Sequence, residues 1–362
     1  MRLRSILSAA LVAIALAIPV ASVAAPVSHR ASDVELVGAF AVGVPITGAA
    51  QLDGYLYVTT GDRLSIYDVT DPAAPTLAST ILSPNPIYGE LLSTNGETLL
   101  LSNGFTSGTL DIYSVENKEN PVLTASVDNV PDEHVSCLLE CTWAYGSAGS
   151  IIDLRKPGRP VLHQESWKVI VGVSKHVHRL DEFLTGYMAT APRQGVPVVL
   201  DARRPLKPRI IARTDTSDRD QIPYLFTDWP RGGADRFIIS STEGGQCNNG
   251  YQGALMTFDA KAWPKKRAFP LVDTYTYAGR TNSRGCTAYY FSLHPDFENG
   301  GLLVLPSGLD GIRLIDVSDR GQLTEVGTFT PPIADVWLAF WADTEILYAL
   351  NRTGEVYILR YT

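Results

Sequence analysis

The sequence contains little sulfur and little charge. Only 4 cysteines and 3 methionines occur among 362 residues, and charged side chains make up 19% of the chain. The cysteines form no Cys-x-x-Cys pair and no four-ligand cluster, which argues against a zinc site or a thiol-redox centre. The 30 basic and 38 acidic residues give a formal charge of −8, so the chain is a poor candidate for binding nucleic acid.

Common catalytic motifs are also missing from the sequence. There is no Gly-x-Ser-x-Gly elbow and no His-Glu-x-x-His pair, which excludes the usual signatures of serine hydrolases and zinc proteases. The glycine-rich segments lack the lysine and helix that follow a phosphate-binding loop. We therefore predict no catalytic residue and no cofactor from motifs.

Long apolar runs are confined to the N-terminus. Arg2 and Arg4 precede an apolar run from Ile6 to Val20, and small residues follow at Ser22 and Ala24. This order is typical of a secretory signal peptide over residues 1–24, although an uncleaved N-terminal anchor fits the same pattern. No later stretch reaches the ~18 apolar residues that a membrane-spanning helix needs, so we expect a secreted, extracellular mature chain without a membrane span.

A short apolar strand that ends in an acidic turn recurs at intervals of about 40 to 58 residues. Its position is occupied in successive copies by Asp68, Ser114, Asp153, Asp201, Asp259, Asp316 and Arg360. A period of this size without a helical pattern is typical of a β-propeller, in which each repeat forms one four-stranded sheet. We predict an all-β, seven-bladed propeller that forms a single domain over residues 25–362.

The last repeat lacks an outer strand, because the chain ends directly after its third strand. The N-terminal segment from Glu35 to Phe40 resembles the outer strand from Thr324 to Phe329. We therefore expect the N-terminal strand to complete the last blade and close the ring, which would also remove exposed sheet edges.

Four cysteines in an exported chain predict two disulfides, for which three pairings exist. We favour Cys137 with Cys141, since they are close in sequence, and Cys247 with Cys286, since they lie in consecutive long insertions. By chain entropy the short loop would contribute roughly 2 kcal/mol and the long loop roughly 4 kcal/mol.

The repeat resembles that of the LVIVD-repeat family of bacterial propeller proteins, with an actinobacterial-like layout. The family pattern, an apolar strand followed by Asp-Val-Ser-Asp-Pro-x-x-Pro, stands here as IYDVTDPAAP around Asp68 and as LIDVSDRGQL around Asp316. The resemblance covers nearly the whole mature chain. It implies a secreted or surface propeller, and it implies no particular biochemical role.

Two histidines share the same spacing to a tyrosine. His134 precedes Tyr145 by eleven residues, and His176, followed by His178, precedes Tyr187 by the same number. Equal spacing predicts equivalent places on adjacent innermost strands, facing the channel. There the imidazoles would bind a metal, share a proton with a carboxylate, or simply bond a neighbouring backbone.

Aromatic residues occupy related positions in two other repeats. Tyr289 or Tyr290 would stand where a third histidine ligand is needed, and tyrosine is an uncommon ligand, which weakens the prediction of a metal site. Trp337 precedes Tyr348 by eleven residues, which predicts an aromatic platform in the channel for a sugar or peptide.

These patterns favour a monomeric binding or scaffold module for an extracellular protein, peptide or glycan. The alternative is a propeller hydrolase or lyase that uses the channel histidines with a carboxylate or a metal. Propellers host many unrelated activities, so the fold does not decide between the two.

Overall fold

The computed structural model describes residues 34–362 except 88–91, 104–107, 175–176, 193–196, 216–223, 229–236, 244–252, 261–267, 277–287, 299 and 333–334. Regular structure in the described residues is β, apart from one helix of five residues. The expectation of an all-β fold is confirmed. The predicted signal peptide, Cys247, Cys286 and His176 lie outside the described residues.

The strands follow one another along the chain in groups. The N-terminal strand is β1 (Val34–Ala41). Sheet 1 comprises β2 (Ile46–Leu52), β3 (Tyr55–Thr60), β4 (Arg63–Asp68) and β5 (Thr76–Leu82). Sheet 2 comprises β6 (Ser93–Thr94), β7 (Thr98–Ser102), β8 (Thr109–Ser114) and β9 (Val122–Asp128). Sheet 3 comprises β10 (Val135–Leu138), β11 (Trp143–Gly146), β12 (Ile151–Asp153) and β13 (Val161–Leu162).

The helix and the remaining strands complete the order. The helix α1 (Trp167–Val171) precedes sheet 4. Sheet 4 comprises β14 (Val177–Leu184), β15 (Tyr187–Pro192), β16 (Val198–Asp201), β17 (Arg209–Asp215), β18 (Tyr224–Asp228), β19 (Phe237–Glu243), β20 (Leu255–Asp259) and β21 (Ala268–Tyr275). Sheet 5 comprises β22 (Ser292–Leu293), β23 (Gly301–Pro306), β24 (Ile312–Val317) and β25 (Leu323–Phe329). Sheet 6 comprises β26 (Val336–Trp341), β27 (Ile346–Asn351), β28 (Glu355–Tyr361) and the N-terminal β1.

Neighbouring strands are antiparallel in five of the sheets, and sheet 4 is different. Its eight strands form two antiparallel halves, β14–β17 and β18–β21, whose outer strands β17 and β21 pair in parallel. In sheet 6, β1 pairs with β28 in antiparallel register from Val34 opposite Tyr361 to Ala41 opposite Glu355. The predicted pairing of the N-terminal strand with the last repeat is therefore observed.

In three of the repeats the acidic residue closes the turn after the third strand. Asp68 accepts a hydrogen bond from the backbone N–H of Thr70 at 3.0 Å. Asp153 does the same for Arg155 at 3.1 Å, and Asp201 for Arg203 at 3.3 Å. A short carboxylate that bonds the backbone two residues ahead stabilises a turn, which explains why the repeat keeps this residue type.

Apolar side chains fill the space between consecutive groups of strands. One cluster joins sheet 1 to sheet 2, and others join sheet 2 to sheet 3, sheet 3 to sheet 4, the two halves of sheet 4, sheet 4 to sheet 5, and sheet 5 to sheet 6. A further cluster joins sheet 6 back to sheet 1 through Trp337, Leu338, Ile46 and Val58. Each sheet is thus buried on both faces by its neighbours.

Hydroxyl groups connect one group of strands to the turn of the next. The Tyr57 hydroxyl in β3 donates to the carbonyl of Lys118 at 2.5 Å, and the Tyr145 hydroxyl in β11 donates to the carbonyl of Pro205 at 2.6 Å. Thr257 in β20 donates to the carbonyl of Gly321 at 2.5 Å. Each bond links a buried strand to a turn that follows by about one repeat.

The hairpin between β10 and β11 carries the disulfide Cys137–Cys141, so this predicted pairing is confirmed. Its turn has an unusual backbone. Leu139, Glu140 and Cys141 have φ values of 54°, 57° and 59°, which is the left-handed region. L-residues with a side chain adopt this region at a cost, and a run of three is rare.

Candidate functional site

The candidate site lies at the edge of the molecule where the first strands of the sheets begin. His134 directly precedes β10, Tyr290 lies two residues before β22, and Trp337 is the second residue of β26. First strands of several neighbouring sheets contact one another, so residues at their beginnings converge. Isolated bridges between Gly308 and Val336 and between Tyr290 and Leu338 tie sheets 5 and 6 together at this edge.

His134 and Tyr290 meet directly. The His134 Nε2 atom lies 3.0 Å from the Tyr290 hydroxyl oxygen, and the two rings are edge-on with centroids 5.9 Å apart. His134 directly precedes sheet 3 and Tyr290 precedes sheet 5, and these sheets are separated along the chain by the eight strands of sheet 4. Both side chains are buried, at 3% and 1% exposed. This contact therefore bridges sheets that are not neighbours in sequence.

The backbone and one carboxylate fix the position of His134. Its N–H donates to the Ser147 hydroxyl at 3.2 Å, and its carbonyl accepts the N–H of Ser147 at 2.8 Å. The Glu133 Oε1 atom lies 4.0 Å from His134 Nε2, and the Glu133 side chain is nearly buried. The three side chains of Glu133, His134 and Tyr290 form a compact polar group with acid, base and hydroxyl chemistry.

Asp132 holds the loop beside this group. Its carboxylate accepts the N–H groups of Ala148 at 2.5 Å and Gly149 at 3.1 Å and the hydroxyl of Ser150. Burial raises the pKa of Asp132 above its usual range, and the hydrogen bonds it accepts oppose that rise. Burial also lowers the pKa of Lys168 in α1, and the nearby Asp132 carboxylate counteracts this. Asp132 therefore serves mainly to order the loop around Ser147.

A second group at the same edge combines two aromatic rings and a cation. The guanidinium carbon of Arg352 lies 5.1 Å from the centroid of the Tyr289 ring and 5.3 Å from that of the Trp337 ring. Arg352 also donates to the Tyr289 hydroxyl at 2.8 Å. Trp337 is 2% exposed, whereas Arg352 and Tyr289 are half-buried. A guanidinium at this distance from aromatic rings has a cation–π attraction to them, and half-burial leaves it partly accessible to water.

The structure places the predicted residues in two groups. His134 belongs to the polar group, where its partner is Tyr290 and not Tyr289. Tyr289 and Trp337 belong to the aromatic group, and Arg352 covers one face of Trp337. His178 lies in β14, where the backbone is described and the side chain is not. Convergence of His134 with His176 or His178 stays a prediction.

The equal spacing of eleven residues does not correspond to equal register. Tyr145 pairs with Ser136 in the third position of its strand, whereas Tyr187 begins its strand and pairs with Leu184. In β26 the register shifts between Val336 and Leu338, so Trp337 lies at a β-bulge. The register of Tyr187 and the bulge at Trp337 thus show that an equal spacing of eleven residues does not mark equivalent positions.

Ser147 and Arg352 carry the site and were not predicted from the sequence. Ser147 lies in a turn that reaches His134 across a hairpin, and Arg352 lies in the turn between β27 and β28. Neither residue belongs to a motif. The feature that the two residues share is that each lies in a turn at the edge where the first strands begin.

The described ranges contain neither a metal-binding cluster nor a membrane-spanning helix. There, no group of three or more His, Cys, Asp or Glu side chains is arranged to hold a metal ion. No helix in that part of the chain has the length and apolar character to span a bilayer.

Comparison with known proteins shows the fold alone. No protein-family model matches the chain, and no curated protein matches it. Among solved structures, a chain of the crystal structure of the mitotic checkpoint complex is similar, with a TM-score of 0.62 and 14% identity. The match covers 98% of this chain and 100% of that one. The similarity supports an all-β, propeller-like fold and carries no information on function.

Proposed function

We propose that the chain is an exported, monomeric β-propeller of the LVIVD-repeat type that binds an extracellular protein, peptide or glycan. In this proposal sheets 1, 2, 3, 5 and 6 each form one blade, the two halves of sheet 4 form two more, and β1 closes the ring. The apolar clusters between consecutive sheets support a ring, as does the pairing of β1 with β28. The disulfide and the N-terminal signal pattern support export.

The observation that carries the binding role is the group of Tyr289, Trp337 and Arg352. Tyrosine, tryptophan and arginine are the residue types most enriched where binding energy is concentrated, because they combine a large apolar area with a polar end. Here they meet at the edge where the first strands begin, and Arg352 is held by two ring contacts and one hydrogen bond. Such preorganisation lowers the entropy that a ligand contact would lose.

The test is direct binding of the purified mature chain to glycan and peptide arrays. Arg352→Ala should weaken binding at least about tenfold, since a preorganised cation and its stacking surface are lost together. Arg320→Ala is the matched control, because Arg320 is exposed in the turn before β25, away from this edge. Absence of any bound glycan or peptide, or equal binding by the two variants, would contradict the proposal.

A second candidate function is hydrolysis or elimination by the group of Glu133, His134 and Tyr290. The contact between His134 Nε2 and the Tyr290 hydroxyl at 3.0 Å favours it, because a histidine and a hydroxyl within this distance are able to exchange a proton. A panel of ester, glycoside and uronide substrates tests it. Turnover that Tyr290→Phe abolishes and Tyr289→Phe leaves unchanged would support this enzyme role over simple binding.

A further inference from the structure

The tip of the hairpin between β10 and β11 is held in a conformation that its residues do not favour. The tip comprises Leu139, Glu140, Cys141 and Thr142. The first three are left-handed, and none of them is glycine. The turn is closed by a hydrogen bond from the Thr142 N–H to the Leu139 carbonyl at 3.1 Å. Left-handed residues with side chains persist only where surrounding structure imposes them.

Two neighbouring sheets hold this tip from opposite sides. The side-chain amide of Asn95, in sheet 2, donates to the Glu140 carbonyl at 3.0 Å. The carboxylate of Glu182, in sheet 4, accepts the Leu139 N–H at 3.1 and 3.0 Å through its two oxygens. Glu182 also accepts the N–H of Gly186 at 2.5 Å, which links the tip to the hairpin of sheet 4. These bonds form only while the tip keeps its left-handed course.

The disulfide between Cys137 and Cys141 spans the left-handed segment of the tip. Cys137 lies two residues before the tip and Cys141 lies within it, with their Cα atoms 4.4 Å apart. Cys141 is buried at 5% exposed in the apolar cluster between sheets 2 and 3, whereas Cys137 is half-buried. Any relaxation of the three left-handed residues would move Cys141 relative to Cys137, and the disulfide prevents that movement.

We propose that the disulfide Cys137–Cys141 is a redox latch that fixes the tip and, through it, the contacts of sheet 3 with sheets 2 and 4. While the bond is closed, the tip presents the Leu139 N–H to Glu182 and the Glu140 carbonyl to Asn95. When the bond opens, the left-handed residues relax and both contacts are lost. The sheets keep their apolar clusters, so the change is local and does not unfold the protein.

Opening the latch is ordinary thiol–disulfide exchange with a dithiol reductant. A thiolate of the reductant attacks Sγ of Cys137, the more exposed cysteine, and Cys141 leaves as a thiolate. The second thiolate of the reductant attacks the mixed disulfide, Cys137 leaves, and the reductant closes into its own disulfide. Two electrons pass to the protein, and the two protons released by the dithiol end on the two cysteines.

Amide hydrogen exchange of the whole chain tests the latch, with excess dithiothreitol as the reductant and alkylation with mass spectrometry to report the state of Cys137 and Cys141. Reduction should speed exchange of the Leu139 and Thr142 amides at least about tenfold, and reoxidation should restore protection. The amide of Val58, in sheet 1, should not change.

The double variant Cys137→Ser, Cys141→Ser is the control for reduction elsewhere in the chain, since it keeps Cys247 and Cys286. Its tip amides should exchange quickly with or without dithiothreitol. Two results would overturn the latch. One is unchanged protection of Leu139 and Thr142 after the bond is shown to be open, and the other is a bond that stays closed in the folded protein.

Discussion

Single carboxylates do much of the ordering of this chain, and Asp201 is the clearest example. Its oxygens accept hydrogen bonds from the guanidinium groups of Arg203 at 2.9 Å and Arg209 at 2.9 Å. These bonds hold the pKa of Asp201 well below its usual range, and the bond from Arg203 has the largest effect. Burial of the carboxylate opposes this lowering. The arginine side chains are 53% and 70% exposed, so solvent weakens the attraction.

Asp201→Asn should therefore lower the free energy of unfolding at pH 7 by about 1–2 kcal/mol. The folded-state pKa lies below the unfolded-state value of about 3.9, so the stabilisation is complete above about pH 5 and declines as the pH falls. Urea unfolding should show that the difference in free energy of unfolding between the native and variant chains is smaller at about pH 3 than at about pH 7. Glu116→Gln, an exposed acid at the corresponding turn of sheet 2, is the control, and an equal difference at both pH values would contradict this account.

Local chemistry explains which features could be predicted residue by residue. The acidic turns at Asp68, Asp153 and Asp201 bond their own backbone two residues ahead, so the interaction is visible within three letters of sequence. The contact of His134 with Tyr290 joins residues 156 positions apart, and Arg352 reaches Tyr289 across 63 positions. Such pairs depend on how the sheets pack, and a single sequence carries no local signal of that.

Buried hydroxyl groups connect strands of one sheet to turns of the next. Tyr57 in β3 and Tyr145 in β11 occupy matching positions, opposite Ile66 and Ile151 of the third strands, and each bonds a turn of the following sheet. Burial raises the pKa of both phenols, so each hydroxyl remains a neutral donor. The repeat therefore includes an equivalent hydrogen bond between consecutive sheets as well as an equivalent order of strands within each sheet.

Tyr57→Phe tests that bond. The substitution keeps the ring and removes the donor to the Lys118 carbonyl, so the free energy of unfolding should fall by about 1 kcal/mol. Chemical unfolding in urea provides the measurement. Tyr55→Phe is the matched control in the same strand, because Tyr55 is half-buried and water can replace a bond to its hydroxyl. A loss as large in the control as in Tyr57→Phe would show that the bond to the Lys118 carbonyl is not what stabilises the protein.

The limits of sequence reasoning at this scale come from hairpin geometry. Repeat spacing predicted the third strands and their turns, because those are separated by short, regular connections. It misplaced Tyr187, which begins β15, relative to Tyr145, which is third in β11. It also missed the parallel pairing of β17 with β21, which depends on two outer strands from successive repeats approaching each other.

At the scale of the whole molecule, sheet 6 meets sheet 1 at Gly38. An added Cβ at Gly38 in β1 would lie 2.0 Å from the carbonyl oxygen of Pro72, in the turn between β4 and β5. Glycine is required here by close approach of two backbones. Together with the apolar cluster of Trp337, Leu338 and Ile46, this contact packs sheet 6 closely against sheet 1.

Gly38→Ala should force β1 away from that turn and lower the free energy of unfolding by about 1–3 kcal/mol. Gly61→Ala is the control, since an added Cβ at Gly61 meets no atom within 4 Å. Thermal and urea unfolding of both variants give the comparison. Equal stability of Gly38→Ala and the native chain would mean that sheets 6 and 1 are not in tight contact, which would weaken the proposal of a closed ring.

The pairing of β1 with β28 determines when the last sheet is able to form during folding. Val34 is opposite Tyr361, so residues at the two ends of the described chain belong to one ladder. A chain emerging from the ribosome holds β1 without this partner until β28 has been synthesised. Contacts between distant parts of a chain also form slowly, because their loop entropy is lost before the contact is gained. The last sheet therefore assembles only after β28 has been synthesised, and a chain truncated before β28 leaves β1 unpaired.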